Sequence, residues 1–410
     1  MWHSGCLDVF GGPGMYVVDD KNLNFYDKVS QAIAGRGVEC VPSSTFEKSD
    51  KSKSLGSFVA YAEQGYDCTK DQEFLTFLKR YKFRKAFLVK FCCPNFSYST
   101  HFNGAISVLE LPVKVNDDSN LSIYYLHTLI EVILRNEPNL PCASDNTKKL
   151  VSLIKKIAKT NATVLINGST GTGKEVVSNL IHSFSERREK PFIALNCAAI
   201  PDQMLESILF GHEKGAFTGA VAANQGLLRA ANSGTILLDE ISEMPLNLQS
   251  KLLRVIQEKR VMPIGSSCEV DVDVRIVATT NRNMFSEVKS GNFREDLFYR
   301  LNVFPLNNLS LYERIDDVIP VTAHMLCKSL LEHGEIYSIT EDALSALMQH
   351  AWPGNVRELD NIIQRAKILC TQNVITVPDL IFDSDGSEAQ PNTAEILAAK
   401  FKASAASEII

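Results

Sequence analysis

The sequence predicts an α/β protein of two or three folded parts, and three observations carry that expectation. Short apolar runs alternate with helical stretches in two separate blocks, a proline-bearing segment divides them, and beyond about residue 309 helices dominate. At 410 residues the chain is too long for one ordinary core. Hydrophobic residues at 45% and charged residues at 22% suit a chain with a sizeable interior, which excludes global disorder. The formal charge of -6 gives no overall attraction to nucleic acid, so any DNA contact requires a local basic patch. Ten cysteines show no metal-ligand spacing, and the adjacent Cys92 and Cys93 read as reduced thiols rather than as half of a zinc site. The start lacks a basic segment followed by a long apolar run, and no stretch approaches the ~20 apolar residues that span a bilayer. No membrane segment and a cytoplasmic location are therefore expected.

The first block runs from Met15 to about Asn136. MYVVDD reads as a strand, NLNFYDKVSQAIAGRG as a helix, VECVP as a second strand, and AFLVKFC and SVLELPV as later strands. SIYYLHTLIEVILRN closes the block as a helix, and EPNLPCASDN carries the prolines and small polar residues of a linker. The second block opens with the helix KKLVSLIKKIAK and the strand TVLING, then a glycine-rich turn and another helix. From Leu309 to Ile381 the segments RIDDVIPVTAHMLCKSLLEH, TEDALSALMQH and NVRELDNIIQRAKILC predict a small helical part. TAEILAAKFKASAASEII is expected to form one short helix.

The glycine-rich turn is where chemistry concentrates. In GSTGTGK, Gly168, Gly171 and Gly173 let the backbone approach a polyphosphate, so that its amides and Lys174 face the charge. Glu175 stands where such a cradle usually supplies a magnesium-binding Ser or Thr. Downstream, the apolar strand GTILLDE delivers Asp239 and Glu240 at its end. The first suits magnesium and the second an attacking water; by itself, an acidic pair after a strand is usually solvated surface. In GHEKGAFTGA, Gly215 and Gly219 permit an exposed loop whose tip, Phe217 and Thr218, presents an aromatic ring to a partner.

GSTGTGKE, LNCAAI, GHEKGAFTGA, LLDEI, ATTNR, FREDLFYRLNV and WPGNVREL occur in that order. Together they resemble the AAA+ domain of the bacterial sigma-54 activators, the enhancer-binding proteins, and above all its flagellar regulators, over about residues 146–380. The resemblance implies ATP and Mg2+ as cofactors. It implies a Walker A cradle of Gly168, Ser169, Thr170, Gly171, Thr172, Gly173, Lys174 and Glu175, in which Glu175 is ordinary and Asp239 is the metal residue. Asn196 would act as a switch partner of Glu240, Asn281 as sensor I and Arg357 as sensor II. Arg294 and Arg300 would be fingers reaching a neighbouring subunit's ATP, which requires a ring, a hexamer or a heptamer. Gly215, Ala216, Phe217, Thr218, Gly219 and Ala220 would contact sigma-54, assisted by the loop around Pro263, Ile264 and Gly265. Two departures stand out: Ile208 replaces a common Glu, and Tyr312 replaces a usual arginine while Arg314 remains.

The first block resembles a response-regulator receiver, with Asp19 and Asp20 at the end of the first strand. GSFVAYAEQG has no acceptor aspartate and Leu111 replaces the expected lysine, so a degenerate receiver is expected, with the aspartates as a strand-end or helix-cap pair. The expected organisation is a receiver-like domain at 1–138, a linker at 139–145, an AAA+ α/β core at 146–308, a helical lid at 309–381 and a tail at 382–410. The residues after Ile381 are too few for a Fis-type helix-turn-helix, so promoter DNA is expected to be engaged indirectly, the protein acting from solution or borrowing DNA binding from a partner. The implied function is ATP-driven remodelling of sigma-54 RNA polymerase; the alternatives are an ATPase-competent regulatory partner or anti-activator, and an AAA+ unfoldase.

Overall fold

The computed structural model describes residues 15–46 and 56–382. The expected tail helix lies outside the described residues. The chain divides into two compact units: Met1–Ala143, Asp316–His350 and Asp360–Ile410 form the first, and Ser144–Ile315 with Ala351–Leu359 the second.

The first unit begins with β1 (Tyr16–Val18), α1 (Leu23–Gly35), β2 (Cys40–Pro42), the short α2 (Ser43–Phe46), β3 (Ser57–Tyr61), α3 (Gln72–Arg80), β4 (Lys85–Lys90), β5 (Ser97–His101), β6 (Ile106–Glu110) and α4 (Asn120–Ile133). Side-chain caps at Asn22, Asp71 and Ser119 start α1, α3 and α4 by accepting from the backbone amides of Phe25, Phe74 and Ser122. The basic residues Lys79 and Arg80 end α3, where they complement its dipole. The sheet runs β2-β1-β3-β4-β6-β5, parallel throughout except for the antiparallel β5. Its five parallel strands follow the doubly wound order of receiver folds, but β5 stands where a helix would join β4 to β6. Polar Ser97, Ser99 and Thr100 in β5 hid this strand from hydrophobic periodicity, because an edge strand can leave much of both faces in water. Phe58, Ala60, Leu88, Ile106 and Val108 fill one side of the sheet.

Asp19 and Asp20 end beside α2. Ser43 donates to both carboxylates, at 3.2 Å and 2.7 Å, and Asp20 also accepts from the Ser44 amide at 3.2 Å and from the Ser44 hydroxyl. Leu111 is fully buried.

The second unit holds α5 (Asp145–Ala158), β7 (Val164–Asn167), α6 (Lys174–Ser183), β8 (Phe192–Asn196), α7 (Asp202–Phe210), the short α8 (Leu227–Ala230), β9 (Thr235–Asp239), α9 (Leu246–Glu258), β10 (Arg260–Val261), β11 (Val270–Asp271), β12 (Arg275–Thr280), α10 (Met284–Lys289), α11 (Glu295–Leu301) and β13 (Phe304–Asn307). Its parallel sheet has the order β13-β7-β12-β9-β8. Strands β7, β9 and β12 are interior and read as continuous apolar runs because helices cover both faces. Leu165, Ile236, Leu238 and Ala278 join Leu205, Leu248 and Leu297 in one core. This packing places the carboxyl ends of β7, β8, β9 and β12 side by side, where open α/β sheets bind ligands.

The remaining elements are α12 (Val318–His333), β14 (Ser338–Ile339), α13 (Glu341–Gln349), α14 (Asn355–Leu369) and β15 (Val374–Ile375). The short parallel pair β14–β15 interrupts a segment whose sequence suggests helices alone. Helices α12 and α13 belong to the first unit. There the Glu341 carboxylate accepts from the amides of Asn120 and Leu121 at 3.1 and 2.7 Å, satisfying the open amino end of α4.

Candidate active site and contact loop

Strand β7 ends at Asn167 and hands the chain to a glycine turn that opens α6. Gly171 and Gly173 sit at φ 78° and 95°, in the left-handed region that a Cβ disfavours. A Cβ on Gly171 would also stand 2.5 Å from the Gly354 carbonyl, so glycine is required there twice over. The Lys174 ammonium donates to the carbonyls of Gly168 and Ser169 at 2.7 and 3.1 Å. Burial lowers its pKa; the charges of Asp239 and Glu240 oppose that shift and Arg357 adds to it. Residues distant in sequence, two acids and two cations, therefore converge on the turn.

Asp239 closes β9 with both carboxylate oxygens engaged by neutral donors. The Asn196 amide donates to Oδ2 at 3.0 Å and the Thr279 hydroxyl donates to Oδ1. Each oxygen keeps lone-pair capacity for a cation. Asn196, which the resemblance pairs with Glu240, here faces Asp239, because its own Oδ1 accepts from the Ala198 and Ala199 amides at 2.9 and 3.2 Å and leaves only the NH2 end facing the acids. Glu240 adopts φ 52°, a costly conformation for a side-chain-bearing residue, while its amide donates to Thr279 Oγ1 at 3.2 Å. The Asn281 amide donates to Thr170 Oγ1 at 3.3 Å, placing it on the rim of the turn. Glycines that admit a close backbone approach, a lysine and an accessible strand-end acid pair fit a polyphosphate with its magnesium.

The loop after α7 is short and closely tied. Gly215 donates to Ala220 at 2.9 Å, Ala220 to Phe217 at 3.0 Å, and Gly215 and Gly219 take φ 83° and 109°. Phe217 remains 44% exposed, with its ring edge against His212 at 5.0 Å. His212 is itself fixed on two sides, by Ser207 at Nδ1 (2.7 Å) and the Ala222 carbonyl at Nε2 (3.0 Å). The carbonyl can only accept, so Nε2 carries the proton and the Ser207 hydroxyl donates to Nδ1 in the neutral ring. The expected second loop lies alongside: Glu213 donates to Ile264 at 3.0 Å and Ile264 to Gly211 at 2.9 Å. Ile208 packs against the core, which accounts for an apolar side chain at the position where the resemblance leads one to expect a Glu.

Residues 140–307 match the family model described as the sigma-54 interaction domain, and residues 312–396 match the AAA+ ATPase lid domain. Over residues 140–396 the chain is thus a sigma-54 interaction domain followed by an AAA+ ATPase lid domain. It is 53% identical over 279 residues to the response regulator protein FleR of Pseudomonas aeruginosa, covering 68% of this chain and 58% of that protein. It is 51% identical over 226 residues to the regulatory protein AtoC of Escherichia coli, covering 55% of this chain and 49% of that one. The chain thus spans about half the length of the curated relatives it matches. Among solved structures, NtrX of Brucella abortus in complex with ADP is 26% identical with a TM-score of 0.57, over 94% of this chain and 88% of that one.

In this fold the remaining expected residues sit as follows. Arg294 caps α11 and forms a fork to the Asp296 carboxylate at 3.0 and 2.7 Å, with a third contact to Ser250 at 3.1 Å. Arg300 lies in the last turn of α11 and is exposed. Arg357 lies in the first turn of α14, and its Cβ is 3.1 Å from where a Gly171 Cβ would be. Sequence motifs missed Thr279 beneath Asp239, His212 beneath Phe217, and Asn308 behind the turn. ATTNR contains Thr279 and GHEKGAFTGA contains His212, yet neither string says which neighbour the side chain meets.

Proposed function

We propose that this protein hydrolyses ATP in a ring and uses the cycle to drive the Phe217 loop against sigma-54 RNA polymerase, remodelling the closed promoter complex. The observation that carries the chemistry is one glycine turn that holds Lys174, meets Arg357 at Gly171 and touches Asn281 through Thr170, with Asp239 and Glu240 at the exit of β9 in the same sheet. The amides of the turn and Lys174 hold the phosphates, with Ser169, Thr170 and Thr172 lining the cradle. Asp239 would be the chief protein ligand for magnesium, which when bound would supply charge neutralisation at the phosphates. Glu240 takes the proton of the attacking water, and Asn196 sets the acid pair's hydrogen bonding. Asn281 and Arg357 read the phosphate end from the strand and helix sides.

Arg294 and Arg300 are assigned as fingers that enter a neighbouring subunit's site, where a cation stabilises transition-state charge. Exposed aromatics beside them support a protein contact on this face: Phe285 and Tyr299 are each 62% exposed and both pack on the Phe298 ring. The loop reading rests on a part-exposed Phe217 flanked by Val221, which is 82% exposed. Flagellar or similar genes are the proposed targets, with promoter DNA engaged through polymerase. A pull-down of sigma-54 with ADP and aluminium fluoride tests the partner. Capture that depends on the transition-state analogue supports the reading, and capture of unrelated unfolded polypeptides in its place refutes it.

A further inference from the structure

The proposed nucleotide site leaves unanswered what turns the amides of the glycine turn toward the phosphates. Five successive carbonyls there divide into two sets. Those of Gly168 and Ser169 accept from Lys174. The next three accept from outside: Thr170 from the Asn355 amide group at 3.1 Å, Gly171 from the Val356 backbone at 3.0 Å, and Thr172 from both Asn308 at 3.0 Å and Arg314 at 2.7 Å. In a planar trans peptide the carbonyl of one residue and the N–H of the next point in opposite directions. Holding the carbonyls of Thr170, Gly171 and Thr172 outward therefore holds the amides of Gly171, Thr172 and Gly173 inward. Of these three, Thr172 makes one long turn contact, 3.4 Å to Ser169.

We infer that Asn308, Arg314 and Asn355 are positioning residues, an outer clasp that presets the phosphate-binding amides for the nucleotide. All three side chains are buried, at 5%, 5% and 3% exposure. Asn355 is locked at both ends of its amide, because its Oδ1 accepts from Leu311 at 2.8 Å while its Nδ2 serves Thr170. It takes φ 55°, a left-handed conformation that Asn tolerates better than most residues. Arg314 lies where the backbone breaks from helix, at φ -137° and ψ 50°, which lets its guanidinium turn into the protein. Its charge adds positive potential behind amides that must face phosphate. Two residues beyond Asn355 comes Arg357, so the clasp also ties the cradle to the helix that carries the sensor.

This inference rests on the nucleotide reading of the site, and the test separates the two. Binding of mant-ADP and steady-state ATP hydrolysis are measured for the full chain and for Asn308→Asp, Arg314→Met and Arg314→Lys. Asn308→Asp keeps the shape but replaces a donor with an acceptor, and Arg314→Met keeps the stem without the donor. Loss of one such hydrogen bond predicts mant-ADP binding about 3- to 10-fold weaker in each. KM for ATP should rise more than kcat falls, because preset amides serve ground and transition states alike. Arg314→Lys should recover most of the affinity. Unchanged mant-ADP affinity in Asn308→Asp and Arg314→Met overturns the clasp, as does a loss that Arg314→Lys fails to restore and that tracks a lowered unfolding temperature of the nucleotide-free protein. A parent protein that does not bind mant-ADP overturns the nucleotide reading itself.

Discussion

Replacing Arg36 by methionine should be among the most damaging single changes in the first unit. Arg36 lies on the carboxyl end of α1, wholly buried, and its guanidinium meets the Glu131 carboxylate of α4, the side-chain Oδ1 of Asn139 at 3.0 Å and His127 Nδ1 at 3.1 Å. The other Glu131 oxygen is 2.7 Å from His324 on α12, so one carboxylate joins the receiver-like sheet's first helix to a lid helix. Burial alone pushes the Glu131 carboxyl up. The charge of Arg36, with hydrogen bonding and charge from His324, overrides burial and holds the group at about 2, against an ordinary 4.5. That gap corresponds to roughly 3 kcal/mol of stability at neutral pH. Breaking a buried pair from one side costs about 3–5 kcal/mol by general experience, so both routes reach the same range.

Because the folded-state value lies below the unfolded one, this stability is present above about pH 4.5 and drains away as pH falls toward 2. Urea unfolding followed by circular dichroism, with hydrogen exchange across α4 and α12 to locate the loss, measures it. Arg36→Met should lower stability by about 3 kcal/mol at pH 7, and slowly exchanging amides in α4 should open roughly a hundredfold faster. The double variant Arg36→Met/Glu131→Gln should be more stable than Arg36→Met alone, since no uncompensated charge remains. A single-variant loss below about 1 kcal/mol, or a double variant no better than Arg36→Met, would refute the ion-pair account.

Three further outcomes follow from the second unit. Glu240→Gln should keep mant-ATP binding while slowing turnover by about 10²- to 10⁴-fold, whereas Lys174→Ala should lose binding itself; calorimetry and a phosphate-release assay read the two quantities. Gly171→Ala should weaken nucleotide binding severely, because its Cβ meets the Gly354 carbonyl at 2.5 Å in a backbone conformation that alanine resists; isothermal titration checks this, and near-normal affinity would contradict the close approach. Cys197, whose thiol burial and then the charges of Asp239 and Glu240 push up to about 12, should resist iodoacetamide at pH 8 while the exposed Cys92 and Cys268 react; peptide mass spectrometry distinguishes them.

Much of the candidate site was legible because its residues sit at strand ends, where an apolar run followed by a charged or glycine residue fixes both the element and its exit. GTILLDE and TVLING each announce a buried parallel strand and what it delivers. Fold class was legible for the same reason, through alternation of strands and helices. Partnerships were not. Asn308 and Arg314 reach Thr172 across 136 and 142 residues, and Asn355 reaches Thr170 across 185; no periodicity encodes which carbonyl a distant amide will meet. Arg36 and Glu131 are 95 residues apart, and the first gives no sequence sign of burial. β5 was hidden by its polar pattern, since an edge strand is held by backbone pairing to β6 rather than by apolar side chains.

If nucleotide cleavage moves the Phe217 loop against sigma-54, open-complex formation on a sigma-54 promoter reads that motion most directly. The account predicts opening that needs hydrolysable ATP and that disappears in Thr218→Ala while its ATPase persists. Opening by Thr218→Ala at the parent rate, or a parent protein that hydrolyses ATP yet never opens the promoter, would contradict it.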